Sequence, residues 1–219
     1  MKSATCLIFL LTLAFAAPLQ ATQADQRSLD FEVYLDGSKI GWHRFDIRQT
    51  DSGAREIDSR ANFDVKFLFI TAFKYRHRNA ERWQNGCLVE IEAATDSNGK
   101  KTQVTGEKTG EGFVVQSRNE SRELSGCVMT FAYWNPEFLK QEKLLNPQTG
   151  EYLEVDVDKG DLQQLTIDGR SVAARPYRIK AKDVEVTVWY SEDDQWLALE
   201  SLAKGGRTIR YERSGGIGA

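Results

Sequence analysis

Tyr75, His77, Glu81 and Trp83 are the residues in this sequence whose types and spacing best suit chemistry. They occupy odd positions in an extended-looking run from Phe73 to Trp83, so a strand of period two presents them, with Asn79, on one face. The even positions Lys74, Arg76, Arg78 and Arg82 then form a basic, solvated face. Aromatic walls with a few convergent polar groups are the usual construction of a small-molecule pocket. A histidine and a carboxylate on one face also suit proton transfer in a hydrolase or isomerase, since burial among aromatics raises a glutamate pKa. The plain alternative is a paired polar cluster within a filled core, with Glu81 hydrogen-bonded to His77 or Tyr75. Phe131, Tyr133, Trp134 and Asn135 form a second aromatic group that either caps the same cavity or plugs the open end of a sheet. Tyr133 and Trp134 therefore join Tyr75, His77, Glu81 and Trp83 as ligand-binding candidates.

Other chemistry finds little support. Gly169-Arg170-Ser171-Val172-Ala173 lacks the second glycine of a nucleophile elbow and follows a hairpin turn at Asp168-Gly169 rather than a strand leading into a helix. His43, His77, Cys87 and Cys127 show no paired short spacing, so neither a zinc site nor any other metal site is expected. Asp156 and Asp158 share a strand face and read as a solvated acidic edge. No catalytic residue and no cofactor is assigned.

The cysteines take their meaning from the first two dozen residues. Lys2 precedes an apolar run from Leu7 to Ala17, and Thr22 and Ala24 stand at the small-residue positions of a cleavage site, with Ala21 a near-equal alternative. Residues 1–24 read as a secretory signal peptide, too short to span a bilayer as an anchor. The expected location is the periplasm, without a stable membrane anchor. Cys6 lies at the start of the apolar run, which excludes a lipoprotein anchor, and it leaves with the leader. Cys87 and Cys127 then remain as one pair in an oxidising space, where a disulfide is favoured over two free thiols. Closing that loop would stabilise the fold by roughly 4 kcal/mol on the chain-entropy estimate. No Cys-x-x-Cys spacing supports a redox role.

Loss of Lys2 leaves 28 basic against 32 acidic residues and a formal charge of -4, which argues against a nucleic-acid partner. Residues 25–213 suit a single domain with a sizeable core, and 214–219 read as a flexible tail. Apolar residues recur mostly at every second position: Phe31, Val33 and Leu35; His43, Phe45 and Ile47; Val89, Ile91 and Ala93; Val184, Val186 and Val188. His43 thus points to the apolar side. Asp36-Gly37 and Asn98-Gly99 mark hairpin turns. The alternation breaks between Gly126 and Lys140, where Pro136 to Lys140 suits a helical turn, so one or two short helices are expected around 127–141. The fold class is all-β and mostly antiparallel, a curved β-roll or half-barrel of roughly a dozen strands.

Several runs resemble a family of exported Gram-negative bacterial proteins of unknown function. They are Leu35-Asp36-Gly37 with Ile40-Gly41-Trp42-His43, Glu81-Arg82-Trp83, Gly86-Cys87-Leu88, Thr95 to Gly99, Phe131-Ala132-Tyr133-Trp134-Asn135 and Leu144-Leu145-Asn146. Trp189-Tyr190-Ser191 and its following hairpin are more distantly similar to another uncharacterised periplasmic family, which implies a β-roll. The resemblance brings no functional residues with it. The expected function is non-enzymatic: binding of an apolar or amphipathic small molecule, or assistance to envelope components. A protein-interaction scaffold with a filled core and an enzyme using His77 and Glu81 are the alternatives.

Overall fold

The computed structural model describes residues 26–67, 70–118, 120–167, 169–203 and 205–215. The expected leader and cleavage site, Asp168 of the expected hairpin turn, and residues 216–219 of the expected tail lie outside these. Ser214, placed by sequence at the start of that tail, pairs with Asp30 at the end of a strand.

Eight strands follow one another as an antiparallel meander: β1 (Gln26–Leu35), β2 (Ser38–Gln49), β3 (Arg55–Phe67), β4 (Ile70–Gln84), β5 (Cys87–Ser97), β6 (Lys100–Thr109), β7 (Gly112–Ser117) and β8 (Glu120–Ser125). Their turns use the residues that tolerate positive φ. Asp36 and Gly37 stand at φ 48 and 80°, which lets β1 turn directly into β2. After β8 the chain crosses to β9 (Lys143–Leu145), β10 (Tyr152–Lys159), β11 (Gln163–Ile167), β12 (Arg170–Ala181), β13 (Val184–Tyr190), β14 (Trp196–Ala203) and β15 (Arg207–Ser214). β15 then pairs with β1, so the described strands form one 15-stranded open curved sheet. The all-β antiparallel expectation holds, with more strands than the dozen read from sequence. β12 is long enough to pair twice, its first half with β11 and its second with β10.

The sheet buries its concave face. Alternate residues of each strand point inward, among them Phe31, Phe45, Ile57 and Val104, while charged neighbours such as Arg44 and Asp58 face water. A curved sheet alone leaves its hollow open. Residues 126–151 fill much of it, because Val128, Met129, Phe138, Leu144 and Leu145 are all buried. The Leu88 N–H donates to the Val128 carbonyl at 2.9 Å, and the Leu145 N–H to that of Met129 at 2.8 Å. One helical segment occurs among the described residues, a 3-10 turn at Pro136–Lys140, with Asn135 accepting from the Glu137 N–H at its start. It lies within the expected region and begins at Pro136, where the missing N–H costs nothing.

Cys87 and Cys127 are joined by a disulfide with Cα atoms 5.1 Å apart. It ties the start of β5 to the head of the filling segment. At the other end of that segment the Ser117 hydroxyl donates to the Thr149 carbonyl at 2.7 Å, fastening it to β7. A second, small core of Ile167, Ala174, Trp189, Leu197 and Ala198 packs where the β11–β12 hairpin meets β13 and β14.

Candidate functional site

β4 supplies the inward face singled out from sequence, and the filling segment divides that face in two. Towards the β4–β5 turn, Trp83 is 2 % exposed and meets Trp134 edge to face, with ring centroids 5.4 Å apart. Glu81, 5 % exposed, accepts from the Asn79 amide and the Trp83 indole N–H, both at 2.8 Å. Burial raises its pKa above the usual carboxylate value, and hydrogen bonds from Asn79, Trp83 and Thr130 oppose the rise. Glu81, Trp83 and Trp134 are thus packed structure.

The other end of the face opens onto a cavity of about 190 Å³. β4 contributes Tyr75, His77 and Asn79, β2 His43, β3 Ser59 and β15 Tyr211; the filling segment closes over them with Phe131, Tyr133 and the turn at Asn146 to Gln148. Of the six candidates read from sequence, Tyr75, His77 and Tyr133 line this space, and the other three do not.

The lining mixes apolar side chains with uncharged polar groups and carries no formal charge at neutral pH. His43 stacks on Phe45 at 4.2 Å, and its Nε2 hydrogen-bonds the Ser59 hydroxyl at 2.7 Å. Burial pushes its pKa down to about 3, helped by the proximity of His77. His77 bonds the Thr95 hydroxyl through Nδ1 at 2.9 Å, and burial lowers its pKa to about 4. Both rings are neutral in ordinary conditions. Burial also raises the phenols of Tyr75, Tyr133 and Tyr211, and for Tyr75 and Tyr211 neighbouring tyrosines add to the rise. Lysine, arginine, aspartate and glutamate are missing from the lining among the described residues.

Two buried polar atoms at this site lack a hydrogen-bond partner among the described residues, His43 Nδ1 and Asn79 Oδ1. Buried polar groups are nearly always paired, and an unpaired one costs about 1–3 kcal/mol. Glu81 and His77, the pair considered for acid–base work, hold separate partners instead of each other.

Sequence reasoning placed His43 and Asn79 on apolar faces but did not bring them to the site. It missed Ser59 and Tyr211 altogether. Ser59 carried a usable signal, an inward serine at the position facing Phe45 across the strand pair. Tyr211 carried none, because its place depends on β15 pairing with β1.

A larger depression of about 590 Å³ lies on the outer face between β2 and β5. Its charges largely satisfy one another, as Arg48 with Glu56 and Arg82 with Glu90. It leaves fewer groups for a ligand than the interior cavity does.

Among solved structures, the fold is similar to that of a β-barrel-like protein of the domain of unknown function DUF1849 from Brucella abortus, with a TM-score of 0.63. The match is 11% identical in sequence and covers 85% of this chain and 94% of that one. At that identity the likeness concerns the fold alone. No curated protein matches this sequence. With residues 31–214 matched, nearly the whole strand-built region, the chain belongs to the family of domains of unknown function DUF6134.

Proposed function

We propose that this is an exported, periplasmic, non-enzymatic binding protein that holds a small uncharged amphipathic molecule between its curved sheet and the segment 126–151. The observation that carries this reading is the interior cavity, lined by aromatic rings and uncharged polar groups and bordered by two unpaired buried atoms. A ligand bearing hydroxyl or carbonyl groups would meet phenol and imidazole partners, and its apolar part would lie against Phe45, Phe131 and Leu199. At about 190 Å³, the space is smaller than the ~300 Å³ at which drug-sized sites begin. A single ring or a short chain fits better than a whole lipid. The leader-like first 24 residues support the periplasmic location, and the disulfide agrees with an oxidising compartment.

Native mass spectrometry of freshly purified protein tests the reading. The expected spectrum carries an adduct that disappears in the Tyr75→Ala/Tyr211→Ala variant. An adduct-free spectrum, together with no thermal shift across a panel of small neutral phenols, alcohols and ketones, would sink it.

A further inference from the structure

We infer a second binding surface on the convex side of the sheet: the face of β2 to β6 near the β3–β4 and β5–β6 turns docks reversibly on membranes displaying anionic phosphate headgroups. This goes beyond the cavity reading and stands independently of it.

The strand register builds this surface. Arg44, Arg60 and Arg78 lie side by side across β2, β3 and β4. Like charges directly opposite one another destabilise a sheet, and two of these arginines are relieved by carboxylates, Arg44 by Asp30 and Arg60 by Asp58. Arg78 has no ion-pair partner among the described residues. The next row runs Trp42, Asn62, Arg76, Asp96 and Lys101. Between the two rows lies a depression of about 470 Å³, with the short side chains of Asn62 and Ala94 along it.

Charge at this end is lopsided. Lys66, Lys74, Arg78 and Lys101 all lack an ion pair among the described residues. The nearest acids offset only part of this: Asp64 takes two hydrogen bonds from Arg76, and Asp96, opposite Lys101, adds one negative charge while accepting from the Gly99 N–H. A chain that is acidic overall therefore concentrates unpaired cations here.

An exposed tryptophan decides between a membrane and a soluble polyanion. Trp42, on the outer face of β2 beside the arginine rows, is 45% exposed. Tryptophan and other aromatics settle at the boundary between headgroup and hydrocarbon, while each nearby Lys or Arg adds attraction to anionic lipid. A soluble polyanion would use the cations and leave the ring in water.

Cosedimentation of the intact protein with vesicles is the test, comparing equal parts phosphatidylglycerol and phosphatidylcholine with phosphatidylcholine alone. The expected result is binding to the anionic vesicles, reversed by high salt. Arg78→Glu/Lys101→Glu should weaken it by about tenfold or more. Trp42→Ala should weaken it too, while circular dichroism and melting stay unchanged because all three positions are on the outer face. Equal retention on both vesicles, insensitivity to the charge reversal, or binding to heparin as tight as to vesicles and indifferent to Trp42→Ala would each overturn the proposal.

Discussion

The two ends of the inward face of β4 are built from similar residues and do opposite things. Near the β4–β5 turn, Asn79, Glu81 and Trp83 bond one another and Trp83 packs on Trp134. Near the opposite end, Tyr75 and His77 border empty space beside an unpaired His43 nitrogen. Aromatic and polar composition therefore does not make a site. Whether the facing segment supplies partners does: residues 126–134 bring Thr130 and Trp134 to the first end, but only the walls of a cavity to the second.

The sharpest way to break this contrast is to truncate the packed end. Trp83→Ala removes a fully buried ring and the donor to a Glu81 oxygen, and should cost about 3–5 kcal/mol in urea unfolding. Tyr75→Phe at the cavity end should change stability by less than ~1 kcal/mol, since its hydroxyl holds no hydrogen bond among the described residues. Equal losses at the two positions would erase the distinction.

The disulfide comes next in size. Cys87→Ser/Cys127→Ser should lower stability by roughly 2–5 kcal/mol. It should also raise hydrogen exchange in 127–135 more than in β13 and β14, because only the former is tethered through Cys127. Uniform exchange throughout would show that the rest of the packing holds the segment unaided.

Titration separates the two ends by sign. His43 and His77 have folded pKa values of about 3 and 4 against an ordinary 6.5. Between those values the unfolded chain binds protons that the folded one refuses, so stability is lost as pH falls from about 6.5 towards 4. Glu81 works the other way. Its raised folded pKa means the folded state keeps a proton that the unfolded chain has already released, so stability falls as pH rises from the ordinary carboxylate value of 4.5 to the folded one. His77→Gln should flatten the acid limb of a stability–pH curve, and Glu81→Gln should steepen the net rise just above pH 4.5. Parallel curves for all three proteins would contradict the burial described for these groups.

Alternation made much of this architecture legible. Phe31-Val33-Leu35 and Phe45-Ile47 announced inward faces, and Asp36-Gly37 announced its turn, because both signals act within a few residues. The parity of β4 was equally readable over Tyr75 to Glu81. What period two cannot say is where along a face the hollow lies. That depends on a segment without alternation, whose course is set by contacts such as Leu88 with Val128 and Ser117 with Thr149. Register shifts between Val65 and Lys66 and between Arg82 and Trp83 are likewise silent in composition. Half of the six candidate residues consequently belong to the packed end, and Tyr211 waited on a pairing made across nearly the whole described chain.

That pairing also sets an order of events. Asp36 receives the Arg207 guanidinium and the Thr208 N–H from 171 and 172 residues away. Neighbouring hairpins from β1 to β8 can zip as the chain emerges, whereas β1 keeps one naked edge until β15 arrives. Distant pairings of this kind close slowly, and an open strand edge recruits other strands. A nascent or truncated chain that stops short of β15 should depend on a holding chaperone, or aggregate through β1.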